Sequence, residues 1–174
     1  MNKDSTLHPL LNTHRKPGLV EWIGLRGAHR DRLTVVDEAI AKPETGLEGD
    51  HYAGRPGGKR QVTLIQAEHL QAVASILGVE FIDPHLTRRN IVVRGINLKA
   101  LKNQRLRIGE AILEYSGECH PCSRMEENLG PGGYNAMRGH GGILARVLAE
   151  GPIRVGDTVE TVSLAEQDAS NDSN

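Results

Sequence analysis

The 174-residue sequence is poor in cysteine and aromatic side chains and has no long apolar runs or marked excess of charge of one sign. Two cysteines cannot build a disulfide-stapled secreted scaffold. A bridge between Cys119 and Cys122 would close a loop too small to stabilise much. Five aromatic residues leave little for a stacking platform, which argues against single-stranded nucleic acid as a partner. The formal charge is −1, and residues 165–174 hold three acids and no base, so residues 1–164 carry 21 basic against 19 acidic side chains. Such a balance supports neither nucleic acid nor an anionic membrane as a partner. No apolar run reaches the roughly 20 residues of a spanning helix, and Met1 to Gly18 lacks the apolar centre of a secretory signal. The expectation is one cytoplasmic domain with no membrane and no nucleic-acid partner. Glycine is abundant, 20 of 174 residues against a usual share of roughly 7%, and implies many turns and close backbone approaches.

Residues 1–17 read as a flexible N-terminal arm and 163–174 as a disordered tail around a body at 18–162. Within the body, Gly18 to Arg26, Arg32 to Ala41, Arg60 to Ile65 and Asn90 to Arg94 have strand-like content. Gln104 to Tyr115 reads as strand broken at Gly109 by a bulge or hairpin. Gln66 to Leu77 is the clearest helix, with Ala67, Leu70, Ala74 and Leu77 on one face and Gly78 as its stop. Ser123 to Leu129 suits a short helix, and Gly142 to Glu150 carries mixed signals. Gly151-Pro152 reads as a turn, and Ile153 to Val162 as a strand hairpin around Gly156-Asp157. Lys42 to Lys59 is a long loop with five glycines and two prolines, of a kind that is usually functional or disordered. Many short strands and one good helix predict a mainly β, closed or nearly closed sheet.

Both cysteines lie in Gly117-Glu-Cys-His-Pro-Cys-Ser-Arg-Met125, which opens a 26-residue stretch with seven glycines. A C-x-x-C admits three chemistries: a redox dithiol, half of a zinc site, or one thiolate that ligates a soft metal or carries sulfur. His51 and His140 are the histidines that would complete a Cys/Cys/His/His set, although no spacing supports the pairing. Arg124 follows the thiols, and Asn135, Arg138 and His140 sit in PGGYNAMRGHGG, where glycine backbone and guanidinium groups suit an anionic ligand. Arg88-Arg89-Asn90 precedes an apolar strand and either faces the same cavity or caps a sheet edge. Asp50 and His51, in GLEGDH, are candidates for proton transfer or ligation. His8, His14, His29, His69 and His85 have no supporting neighbours and read as surface or structural residues.

Five segments, GLEGDHY, RQVTLIQAEHL, LTRRNIVVRGINL, RIGEAILEYSGECHPCSRME and GGILARVLAEGPIRVGD, resemble in content and order the MOSC domains, named for the C-terminal part of molybdenum cofactor sulfurases. The resemblance spans roughly Gly18 to Val162 and implies a MOSC-type, barrel-like closed sheet with one or a few short helices. It implies that Cys122 matches the family's invariant cysteine better than Cys119 does, as ligand to molybdenum or carrier of a persulfide. It places Arg88 and Asn90 close to the molybdenum cofactor (molybdopterin), with Asp50 in a turn near it, and leaves Arg89 without a role. The functions implied are cofactor binding within a reductase of N-hydroxylated compounds, supplied by a redox partner, or sulfur delivery from a cysteine desulfurase. A zinc or ligand-binding module without turnover is the third expectation. Relatives that act alone usually bring an extra N-terminal β region, which favours a carrier or one component of a reductase here.

Overall fold

Strand β1, Gly18–Leu25, buries Val20 and Ile23 and begins the body of the protein. The computed structural model describes residue 10 and residues 13–29, 31–52 and 54–162; most of the expected arm and all of the expected tail lie outside these residues. The other strands are β2 (Thr34–Val36), β3 (Glu38–Lys42), β4 (Gly46–Leu47), β5 (Val62–Gln66), β6 (Ile91–Arg94), β7 (Arg105–Ile108), β8 (Ala111–Glu118), β9 (Ile143–Ala149), β10 (Gly151–Arg154) and β11 (Thr158–Val162). The helices are α1 (Ala67–Leu77), α2 (Pro84–Thr87), α3 (Ser123–Leu129) and α4 (Gly133–Ala136), with a 3-10 turn at Leu98–Leu101.

The main sheet runs β11-β7-β8-β9-β5-β6-β1-β2, and a further β11–β1 pairing closes its first seven strands into a barrel. Closure is antiparallel, through Gly18 opposite Val159 and Leu19 opposite Thr158. β5 and β6 are the one parallel pair in the main sheet, and α1 and α2 supply the crossover that such a pair needs. Both strands are apolar on both faces: Leu64, Ile91 and Val93 fill the barrel, while Ile65 and Val92 pack with Val73, Met125 and Met137 of the helical layer. A small sheet, β10-β3-β4, shares no strand pairing with the barrel sheet but packs into its core through Ala39, Ala41, Leu47 and Ile153.

The mainly β closed sheet, the helix at Ala67–Leu77, the hairpin at Gly109 and the helix at Ser123–Leu129 form as the sequence suggests. Three readings are corrected. Arg32 to Ala41 is two strands, because Asp37 separates β2 on the barrel from β3 in the small sheet. Gly151-Pro152 is no turn: it opens β10, an edge strand where a proline's missing N–H is tolerated. β10 and β11 form no hairpin with each other, since β10 pairs with β3 and β11 with β7 and β1. The ambiguous segment after Gly142 is strand β9, held between β8 and β5.

Candidate functional site

The Arg88-Arg89-Asn90 cluster sits where α2 hands over to β6, and its three side chains have three different environments. Arg88 terminates α2 in the left-handed region (φ 60, ψ 30), a conformation that non-glycine residues seldom adopt. Arg89 is buried, 6% exposed, and carries no carboxylate partner. Its Nε donates to Gly141 O (2.8 Å), Nη1 to Thr87 O (2.8 Å) and Nη2 to Cys119 O (3.3 Å). Asn90, 5% exposed, accepts at Oδ1 from Thr63 N (3.1 Å) and Thr63 Oγ1 (2.8 Å) and donates from Nδ2 to Gly24 O (3.3 Å). That leaves one amide proton of Asn90 without a partner among the described residues.

The thiol loop leaves the end of β8 and is pressed against the start of β9. Cys119 N donates to Gly142 O at 2.9 Å. A Cβ at Gly141 would stand 2.0 Å from Cys119 O, so the packing itself requires glycine there. Cys119 and Cys122 are both free thiols, Cys119 half-buried and Cys122 exposed at the cap of α3. Burial pushes the Cys119 thiol up, with the charges of Arg89 and Arg60 acting against it.

Two cavities adjoin this region. The larger, 570 Å³, holds Asp50, His51 and Asn90 together with the cations Arg26, Arg60 and Arg88. Asp50, its one acid, accepts from the backbone N–H of Arg26 at 2.7 Å. The smaller, 300 Å³, shares Arg26 and Arg88 and adds Arg124. Burial, then Arg26 and Arg124, hold the Arg88 guanidinium below its ordinary pKa, while Cys122 acts in the opposite direction. Cys122 therefore lies within the electrostatic reach of Arg88, although it lines neither cavity.

The structure thus brings Asp50, His51, Arg88 and Asn90 to one cleft, and Arg124 to the neighbouring one. Asn135 and Arg138 are exposed, on and just after α4, and line neither cavity. His140 packs edge-on against His69 (ring centroids 5.0 Å), whereas His51 meets His29 (6.3 Å). Among the described residues no three His, Cys, Asp or Glu side chains converge to hold a metal, so the Cys/Cys/His/His set is not assembled. Sequence reasoning missed Arg26 and Arg60, and it named Arg89 only within the Arg88-Arg89-Asn90 cluster, without a role of its own. The basic density of Arg55, Lys59 and Arg60 at the end of a glycine-rich loop was the available signal for the cleft.

A seven-stranded barrel with a cysteine loop at the end of β8 is a MOSC-type architecture. The chain belongs to the MOSC family: residues 47–160 match the model of the MOSC domain. Strands β1 to β3 precede that match, and β1 nevertheless closes the barrel. The YuaD protein from Bacillus subtilis has a similar structure (TM-score 0.71, 20% identity, 83% of this chain and 94% of that one). So do YiiM from Escherichia coli (TM-score 0.63, 22% identity, 83% and 70%) and YiiM from Geobacillus stearothermophilus (TM-score 0.68, 18% identity, 84% and 76%). No curated protein matches the sequence significantly. No described helix is long and apolar enough to cross a membrane.

Proposed function

We propose that this MOSC domain holds the molybdenum cofactor in the 570 Å³ cleft, with the Cys122 thiolate as a ligand to the metal. The observation that carries the reading is the cleft's unbalanced charge. Arg26, Arg55, Lys59, Arg60 and Arg88 line it against one carboxylate, which already accepts a backbone hydrogen bond. A phosphate-bearing pterin that presents a soft metal needs guanidinium groups with a thiolate in reach, and Cys122, although outside the lining, lies within the electrostatic reach of Arg88. The donor set fits the group in two further respects. The Nε of Arg26 is buried without a hydrogen-bond partner among the described residues, and the volume falls within the roughly 300–1,000 Å³ of small-molecule sites.

In this reading Arg26, Arg60 and Arg88 hold the anionic part of the cofactor, and Asn90 offers its remaining amide proton. His51, with His29 against its ring, is the group that would hold or move a proton beside the cleft. When bound, the cofactor supplies two-electron redox chemistry of the kind that removes oxygen from N-hydroxylated compounds, with electrons from a partner protein. The experiment is to purify the protein from molybdenum-replete cells and to assay the metal and the fluorescence of the oxidised pterin. Both together, in near-equal amounts, are expected; protein free of both contradicts the reading.

The exposure of Cys122 favours a second reading, sulfur carriage. Its thiolate would attack the outer sulfur of a desulfurase persulfide, forming a new S–S bond as the donor thiolate leaves. A mass increase of one sulfur atom on Cys122, reversed by reductant and independent of molybdenum, is the result this reading expects.

A further inference from the structure

The two cavities share Arg26 and Arg88 and differ in the rest of their linings. The smaller one, 300 Å³, adds Arg32 and Arg124, so four guanidinium groups converge on a space suited to a small organic molecule. Arg26, Arg32 and Arg88 have no ion-pair partner among the described residues, and Arg124 meets only Glu127, at 3.5 Å. Like charges crowded in this way repel unless an anion stands among them. The low position of the Arg88 pKa, caused in part by Arg26 and Arg124, reports the same crowding.

Two acids also line this cavity, and they limit what it would take. Asp83 accepts from His85 N at 3.0 Å as the cap of α2, and Asp31 is the second. Their carboxylates offset part of the four guanidinium charges, so the lining keeps a modest positive excess that a small anion rather than a long polyanion would neutralise. Arg124 lies two residues beyond Cys122, so an anion held by it stands beside the thiol loop.

We infer that the smaller cavity is a subsite for a small substrate carrying one oxyanion group, gripped by Arg32 and Arg124 and by the Arg26–Arg88 wall shared with the larger cleft. Its role as a substrate subsite rests on the cofactor reading; its capacity to bind an anion does not. The shared chemistry is an oxyanion facing guanidinium forks, which a carboxylate and a phosphate ester both offer.

The test is calorimetric titration of the full-length protein with benzoate and, separately, with phenyl phosphate. Saturable binding of benzoate, phenyl phosphate or both is expected, and the tighter of the two identifies the oxyanion as carboxylate or phosphate ester. Arg32→Met and Arg124→Met should each weaken that binding roughly tenfold or more, and Arg60→Met, which alters only the larger cavity, should leave it intact. Binding that vanishes in Arg60→Met and survives in Arg124→Met overturns the inference, as does an absence of saturable binding. Metal and pterin are assayed on the same samples: binding of either anion by molybdenum-free protein keeps the subsite while the cofactor reading fails.

Discussion

The Nε–H of Arg89 donates to the carbonyl oxygen of Gly141 at 2.8 Å, across 52 residues of sequence. The same guanidinium reaches Thr87 O and Cys119 O, so one buried side chain ties the end of α2, the thiol loop and the approach to β9. Its planar fork presents donors in several directions at once, which a lysine ammonium on a flexible stem cannot reproduce. Arg89 is a clasp that positions the loop bearing Cys122; Arg88, its neighbour, faces the cavities instead.

Arg89→Met should destabilise the fold by about 2–4 kcal/mol, because three carbonyls lose their donor. Arg89→Lys should recover only part of that. Urea unfolding measures the stability, and thiol alkylation separates clasp from bulk packing. At a urea concentration where the variant is still folded, alkylation of Cys119 should accelerate more than that of Cys122. Equal acceleration of both thiols would mean general loosening rather than loss of a clasp.

The two thiols should also differ in the native protein. Cys122 is exposed, while Cys119 is half-buried with its thiol pushed above the ordinary value of 9.0. The native state therefore holds the Cys119 proton more tightly than the unfolded chain does. The stability from this difference is fully present below the unfolded value and declines as pH rises through it toward the folded one. Urea midpoints should fall more steeply from pH 8 to pH 10 in the native sequence than in Cys119→Ala. Parallel curves would contradict this.

Asn90→Ala should cost about 1–3 kcal/mol, since it removes the acceptor for both Thr63 donors and the donor to Gly24 O inside the barrel wall. Thr63→Val should lose less: the hydroxyl's donation to Asn90 Oδ1 and its acceptance from Asn90 N disappear, but Asn90 N keeps Thr63 O and Asn90 Oδ1 keeps Thr63 N. Chemical denaturation of the two single variants and the double variant tests this, and strictly additive effects would deny the coupling.

Gly142 and Gly139 make a matched pair for the loop's packing. Both have left-handed backbone, φ 85 and φ 81, but a Cβ at Gly142 would lie 2.0 Å from Leu64 O, while at Gly139 nothing stands within 4 Å. Gly139→Ala should cost about 1 kcal/mol. Gly142→Ala should cost about 3 kcal/mol or more, because backbone must also move. Equal melting temperatures for the two variants would show that the contact between β9 and β5 yields easily.

What the sequence made legible was local. The face formed by Ala67, Leu70 and Ala74 and the stop at Gly78 define α1, whose C-cap is left-handed at φ 69. Glycine at 109 marks the β7–β8 turn, since φ 57 is needed there. Non-local pairing was not legible: nothing near Pro152 announces β3, more than 100 residues earlier in the chain, as the partner of β10. Nor could the sequence say which of two adjacent arginines faces the core, because the left-handed turn at Arg88 sorts them. Asn135 and Arg138 share a glycine-rich segment with the thiol loop, yet α4 carries them to the exposed surface beside α1 and α3. The full extent of the basic cleft was missed because Arg26 and Arg60 come from segments far from Arg88, and each alone reads as an ordinary surface charge.

The most direct test of the central claim compares molybdenum content in the native sequence, Cys119→Ser and Cys122→Ser, all purified from molybdenum-replete cells. The account predicts metal and pterin in the first two and their loss, by tenfold or more on the order expected for removing a ligand, in Cys122→Ser. Equal metal in Cys122→Ser, or loss in Cys119→Ser alone, would contradict it.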